Sequence, residues 1–144
     1  MSVEIRKLDK ASVAGRTIVF EYGSDGHYRV AIERSGDGWN ITLRREPFPS
    51  RFSKREAEML VTPYKGESEI FAAYADGREA GLLQIEHQTW NNSVRVWDIG
   101  VWEPFQRRGI GRALVEAAKK RARELGARRI ILETQTSNIK AIDF

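Results

Sequence analysis

Residues 106–114, Gln106-Arg107-Arg108-Gly109-Ile110-Gly111-Arg112-Ala113-Leu114, run arginines and glycines directly into a helical pattern. Beyond them Leu114, Ala117, Ala118, Ala122 and Leu125 recur at helical spacing, Lys119, Lys120 and Arg123 take the other face, and Gly126 stands where a helix should stop. ARRIILETQ (127–135) then reads as a buried strand, and VRVWDIGV (94–101) precedes the glycines as another. Strand, crossover helix and strand make a βαβ unit with a parallel pair.

Further upstream the period is that of strands. EIFAAYA (69–75) meets Asp76-Gly77, a strong turn signal, and REAGLLQIEHQ (78–88) runs on to Asn91-Asn92, so residues 69–101 predict an antiparallel meander. YRVAIER and WNITLRRE flank Ser35-Gly36-Asp37-Gly38 and predict a second hairpin. SKRE at 53–56 has capping-box form and predicts a short helix over 54–61, ended before Pro63. The expected fold class is therefore α/β (α+β): a mixed, mostly antiparallel sheet with one parallel pair and flanking helices.

A chain of 144 residues suffices for one domain with a real core, expected over 1–144. Hydrophobic residues at 41% and charged residues at 31% fit a globular protein. The absence of cysteine excludes disulfides, thiolate metal sites and a thiol nucleophile. No apolar run approaches the roughly 20 residues that span a bilayer, and MSVEIRKLDK lacks the apolar core of a secretory signal, so no membrane partner is expected and the cytoplasm is the default compartment. A net charge of +4 suits anionic ligands without naming one. Nucleic acid ranks last as a partner, because helix-borne Lys and Arg usually form a solvated face and no basic and aromatic pattern repeats.

The junction itself is more specific. A helix N-terminus presents unpaired N–H groups and about half a unit of positive charge, and attracts phosphate. Gly109 and Gly111 would let that backbone approach closely and take positive φ, while Arg107, Arg108 and Arg112 add charge. There is no G-x-x-x-x-G-K-[ST], and Leu114 replaces the third glycine of G-x-G-x-x-G. The bland alternative is a strand-to-helix turn with incidental arginines.

Gln106-Arg107-Arg108-Gly109-Ile110-Gly111 resembles the Q/R-x-x-G-x-G/A signature of the GCN5-related N-acetyltransferases, at the strand-to-helix junction where that family carries it. The resemblance implies a sheet whose two parallel strands splay apart, and acetyl-coenzyme A as co-substrate. Backbone amides from Arg107 through Arg108, Gly109, Ile110 and Gly111 to Arg112 would hold the pyrophosphate, and Ile99, Gly100 and Val101 would pair with the pantetheine arm. Asn138, with Ala141 and Phe144 after it, resembles the N-x-x-A-x-x-[FL]-Y segment of the family, which makes Asn138 a further cofactor-binding candidate. Thr89-Trp90-Asn91, Trp97-Asp98-Ile99 and LETQTSN (132–138) are similar to a narrower group, the streptothricin acetyltransferases, and imply a primary amine on a small cationic molecule as acceptor. A protein N-terminus or lysine is the alternative acceptor, and a non-catalytic coenzyme A binding module is the non-enzymatic one.

Acetyl transfer to an amine needs a group that takes the ammonium proton. Asp98 ranks first, in the strand beside the proposed thioester, and Glu86 on the neighbouring strand ranks second; Glu133 is a third carboxylate nearby. Each has a structural alternative, as an ion-pair or hydrogen-bond partner, and strand register decides which face the cleft. Trp90, Trp97, Trp102 and Tyr74 would line an acceptor pocket or pack in the core. His27 and His87 lack metal-ligand spacing, so no metal is expected. The family pattern calls for a tyrosine after Phe144, the rest of a helix and two more strands. A fragment, or a homodimer associating through an incomplete sheet edge, is the expectation that follows.

Overall fold

The structure, a computed structural model, describes residues 2–144. In chain order the strands are β1 (Val3–Leu8), β2 (Thr17–Ser35), β3 (Gly38–Met59), β4 (Glu69–Ala75), β5 (Arg78–Gln88), β6 (Ser93–Val101) and β7 (Arg129–Ile131), with helices α1 (Ile110–Glu124) and α2 (Ile139–Asp143). They fall into two compact units. One takes the residues up to Ile18 together with Glu58–Glu133; the other takes Val19–Ala57 and Thr134–Phe144.

The first unit is a five-stranded sheet in the order β1-β4-β5-β6-β7, antiparallel throughout except for the parallel β6–β7 pair. Asp76 and Gly77, at φ 50° and 74°, make the tight β4–β5 turn, since both central residues of such a turn need positive φ. Helix α1 crosses one face of the sheet. Ile110, Leu114, Ala118 and Ala122 fall four apart and are buried against Ala73, Ala75, Leu83, Ile85 and Val94, where the small side chains let helix and sheet approach. The helix stops because Gly126 turns left-handed (φ 66°), and the Ala127 amide then donates to Ala122 O at 2.9 Å. On the opposite face residues 60–68 lie across the sheet: Gln84 Nε2 donates to Leu60 O at 2.9 Å and to Ser68 Oγ at 2.7 Å.

The second unit is the β2–β3 hairpin with the C-terminal segment bound to it. Gly36 (φ 58°) and Asp37 form its two-residue turn. The Tyr28 amide donates to Thr136 O at 2.9 Å, while the Tyr28 hydroxyl and Arg45 both reach Asp143 at 2.6 Å. Phe48 stacks between His27 (4.7 Å between centroids) and Phe52 (5.4 Å).

Three expectations need correction. Residues 54–59 are not a helix but the end of β3. Phe52, Lys54 and Glu58 are half-buried and Leu60 is buried, alternating with exposed Ser53, Arg55, Ala57 and Met59 and broken only at the exposed Glu56, so a period of two overrides the capping box, which has no apolar helical face behind it. The parallel strand ends at Ile131 rather than continuing to residue 135, and Leu132 is already exposed. Finally, the positive φ that accompanies Gly109 falls at Arg107 (63°), whereas Gly111 sits inside the first turn of α1.

Candidate active site

The approach to α1 is a 3-10 turn at Glu103–Phe105, anchored by the buried Phe105 ring, followed by a loop through residues 106–109. Gln106 Nε2 fastens this loop to the end of β6 by donating to Val101 O at 3.1 Å. Arg107 and Gly109, at φ 63° and 83°, reverse the chain twice in quick succession. The six amides of Arg107, Arg108, Gly109, Ile110, Gly111 and Arg112 donate to no acceptor among the described residues; the first amide to do so is that of Ala113, to Gly109 O at 3.1 Å. Three of these six open a helix, where unpaired N–H groups are intrinsic, and the loop conformation adds three more. Arg107, Arg108 and Arg112 are exposed and join no ion pair among the described residues, the first turn carries no acid, and a Cβ added to Gly109 would meet nothing within 4 Å. The mouth of α1 is an open, positive stretch of backbone with several free donors.

Strand β6 leads into it. Its pairing with β7 covers only Ser93, Val94 and Arg95, opposite Arg129, Ile130 and Ile131. From residue 96 to 101, including Ile99, Gly100 and Val101, β6 has β5 on one side and no strand on the other. An extended chain of amide character can add along such an edge.

A β-bulge decides where the acids point. Gln84 pairs with Asp98, but Ile85 pairs with Val96, leaving Trp97 as the extra residue. Val96 and Ile99 both pack on the α1 side, so Trp97 and Asp98 between them both turn to the opposite face. There Asp98 is 5% exposed, with Oδ2 2.6 Å from Lys65 Nζ, and Lys65 is itself buried and donates further to Met59 O at 3.1 Å. Burial pushes the Asp98 carboxyl up, against the opposing pull of the Lys65 ammonium. Glu86 is half-buried instead; its Oε2 accepts from Trp97 Nε1 at 3.0 Å, while Oε1 has no hydrogen-bond donor among the described residues.

Trp97 also carries the Arg95 guanidinium over its ring at 4.2 Å and meets the Tyr64 ring edge-on at 5.8 Å. The other aromatic candidates lie elsewhere. Trp90 is exposed in the β5–β6 turn, Trp102 donates to Glu79 at 3.1 Å, and Tyr74 lies under Arg6 at 4.5 Å. Glu133 pairs with Arg95 at 3.2 Å on the surface. His27 lies 3.9 Å from Glu46, and His87 faces Asn92 at 3.0 Å. Among the described residues no group of three or more His, Asp or Glu could hold a metal ion, and no helix is long and apolar enough to cross a membrane. In the second unit Asn138 caps α2, its side-chain oxygen accepting from the Ala141 amide at 3.3 Å. Lys65 and Gly66 went unnoticed in the sequence, where a lysine inside Pro63-Tyr64-Lys65 gives no sign of burial.

The chain is similar to known proteins in sequence and fold. A streptothricin acetyltransferase of Streptomyces lavendulae is 38% identical over 132 residues, which cover 83% of this chain and 69% of that protein. The crystal structure of nourseothricin acetyltransferase superposes with a TM-score of 0.74 at 30% identity, over 99% of this chain and 79% of that one. A Bacillus anthracis str. Ames protein crystallised in complex with acetyl coenzyme A shares the fold, with a TM-score of 0.75 at 22% identity, over 100% of this chain and 79% of that one. Residues 39–144, which contain the meander, the donor-rich loop and α1, match the family model described as Acetyltransferase (GNAT) family. The chain with the unpaired amides at the mouth of α1 belongs to that acetyltransferase family.

Proposed function

We propose that this protein uses acetyl-coenzyme A to acetylate a primary amine on a small cationic molecule, with streptothricin-type antibiotics as the leading acceptors and the cytoplasm as the place of reaction. The observation that carries the reading is the run of six unpaired amides from Arg107 to Arg112 at the mouth of α1. A pyrophosphate suits this stretch: it offers successive free donors, three exposed arginines outside any ion pair among the described residues, and open space at Gly109. The free edge of β6 at Ile99, Gly100 and Val101 suits the amide groups of a pantetheine arm. Asn138, the further cofactor contact suggested by its motif, uses only its side-chain oxygen to cap α2 and keeps its NH2 donors free among the described residues.

When bound, acetyl-coenzyme A supplies the acetyl group as a thioester. The acceptor amine arrives as an ammonium, with an ordinary pKa of about 10.4 for a lysine-type amine, and its lone pair is free only once a proton has left. Glu86 is suited to take that proton: Trp97 Nε1–H fixes one carboxylate oxygen at 3.0 Å and the other remains free to accept. Asp98, enclosed with Lys65, is suited to hold the bulge that aims Trp97 and not to meet substrate. Streptothricin as acceptor is supported by the 38% identity with the Streptomyces lavendulae enzyme and by carboxylate and aromatic groups on one sheet face. Two copies associating along β7, one of the two edge strands of the sheet, is the oligomer we propose.

The test is release of free thiol from acetyl-coenzyme A in the presence of streptothricin, lysine, a peptide with a free N-terminus, or no amine. Streptothricin should give the fastest release. Equal rates with every amine would remove the acceptor assignment, and saturable binding without any release would leave a coenzyme A binding module.

A further inference from the structure

Residues 60–68 cross the sheet opposite α1 and are clamped at several points. The Leu60 amide donates to Arg16 O at 3.0 Å, and Gln84 holds both Leu60 O and Ser68 Oγ. Between these anchors stands Lys65, 1% exposed, its ammonium 2.6 Å from Asp98 Oδ2 and 3.4 Å from Glu58 Oε2. A lysine is rarely buried so completely, and here its Asp98 partner sits beside the bulged residue Trp97. The next residue is Gly66, at φ 49° and ψ −131°, with its carbonyl held by Lys10 Nζ at 2.8 Å. This backbone conformation is open to glycine and hardly to other residues.

Gly66 faces Glu86. A Cβ built on Gly66 would run into Glu86 Oε1 and come within 3.5 Å of its carboxyl carbon. That oxygen is the one Trp97 leaves free. We infer that Gly66, fixed in place by the buried Lys65–Asp98 pair, is a positioning residue for Glu86: its missing side chain makes the space that the free carboxylate oxygen occupies. The inference rests on the reading of Glu86 as proton acceptor for its catalytic meaning, and on the contact alone for its geometric one.

Gly66→Ala introduces both backbone strain and the clash, so a control must separate them. Gly77 has φ 74° and nothing within 4 Å of its would-be Cβ, so Gly77→Ala places an alanine at positive φ with no contact, and Gly66→Ala in a Glu86→Ala background keeps the Gly66 strain while removing the clash. In Gly66→Ala the Glu86 carboxylate must shift away from residue 66, and the geometry of its Oε2 contact with the Trp97 indole changes with it. The indole N–H resonance of Trp97 should therefore shift, and the response of that resonance to pH should differ from wild type, with neither change in Gly77→Ala. In steady-state assays with acetyl-coenzyme A and streptothricin, Gly66→Ala should lower kcat about 10²-fold with KM for acetyl-coenzyme A unchanged, the scale expected when a reacting group is displaced by about 1 Å. In a Glu86→Gln background it should cost nothing further.

If Gly66→Ala does not fold, the pair Lys65→Met with Asp98→Leu releases the segment while keeping its volume apolar, and should move the Trp97 resonance and kcat in the same way. A Trp97 resonance identical in wild type and Gly66→Ala, or unchanged in the pair variant should Gly66→Ala not fold, would overturn the inference. So would an equal loss of rate with and without the Glu86 carboxylate. The spectroscopic arm decides the geometry even if no amine is acetylated, an outcome that would instead sink the functional reading.

Discussion

Gly109→Asp puts a carboxylate into the open space beside six unpaired amides, and the side chain would compete with pyrophosphate for the same donors. Asp tolerates positive φ better than most residues, so the variant should fold, and its affinity for acetyl-coenzyme A should fall at least about tenfold by titration calorimetry. Asp98→Asn leaves the buried Lys65 ammonium with only the longer Glu58 contact at 3.4 Å and should cost up to about 3–5 kcal/mol of stability in urea unfolding, whereas Lys65→Met with Asp98→Leu should be near neutral. A stable Asp98→Asn protein with lost turnover would return the proton-acceptor role to Asp98. The sequence named both Asp98 and Glu86, but it could not say which one stays free. One extra residue at Trp97 reverses the facing of everything before it, and nothing in VRVWDIGV marks where a bulge falls.

At the scale of elements, α1 was readable because packing and period agree. Four buried residues at intervals of four, a solvated basic face and a terminal glycine all predict the helix at Ile110–Glu124. Leu114, fully buried against the sheet, should cost about 2–5 kcal/mol on replacement by alanine, measured by chemical denaturation. The meander was legible for the same reason, since Asp76-Gly77 can close little else than a tight hairpin. Residues 54–59 misled because a capping box is a local signal, and the strand pairing that overrides it comes from residues far away in sequence. Strand β7 was overestimated in length because the apolar run of residues 130–132 continues past the point where β6 stops pairing with it.

At the scale of the whole molecule, acid stability should depend on two carboxylates of the first unit. Hydrogen bonds from Arg16, with NH1 at 2.9 Å, hold the Glu79 carboxyl below its ordinary value against the opposing effect of burial. Burial pushes Glu69 up, but hydrogen bonds from Arg121 at 2.9 Å and Lys7 at 2.7 Å outweigh it, and the net direction is again down. A carboxylate with a depressed folded-state pKa contributes stability that is full above its unfolded pKa, about 4.3 for Glu, and is lost as pH falls through the lowered folded value. Glu79→Gln should therefore lose stability at neutral pH and show a shallower decline below pH of about 4, followed by thermal unfolding across an acid series.

We propose the mouth of α1 as the acetyl-coenzyme A site. Titration of the isotope-labelled protein with acetyl-coenzyme A, read amide by amide, tests it most directly. Saturable shifts should concentrate on the amides of residues 107–112 and along the free edge of β6 at Ile99, Gly100 and Val101, and all should move together to higher coenzyme concentration in Gly109→Asp. Saturable binding that leaves residues 107–112 unmoved, or no binding at millimolar coenzyme, would contradict it.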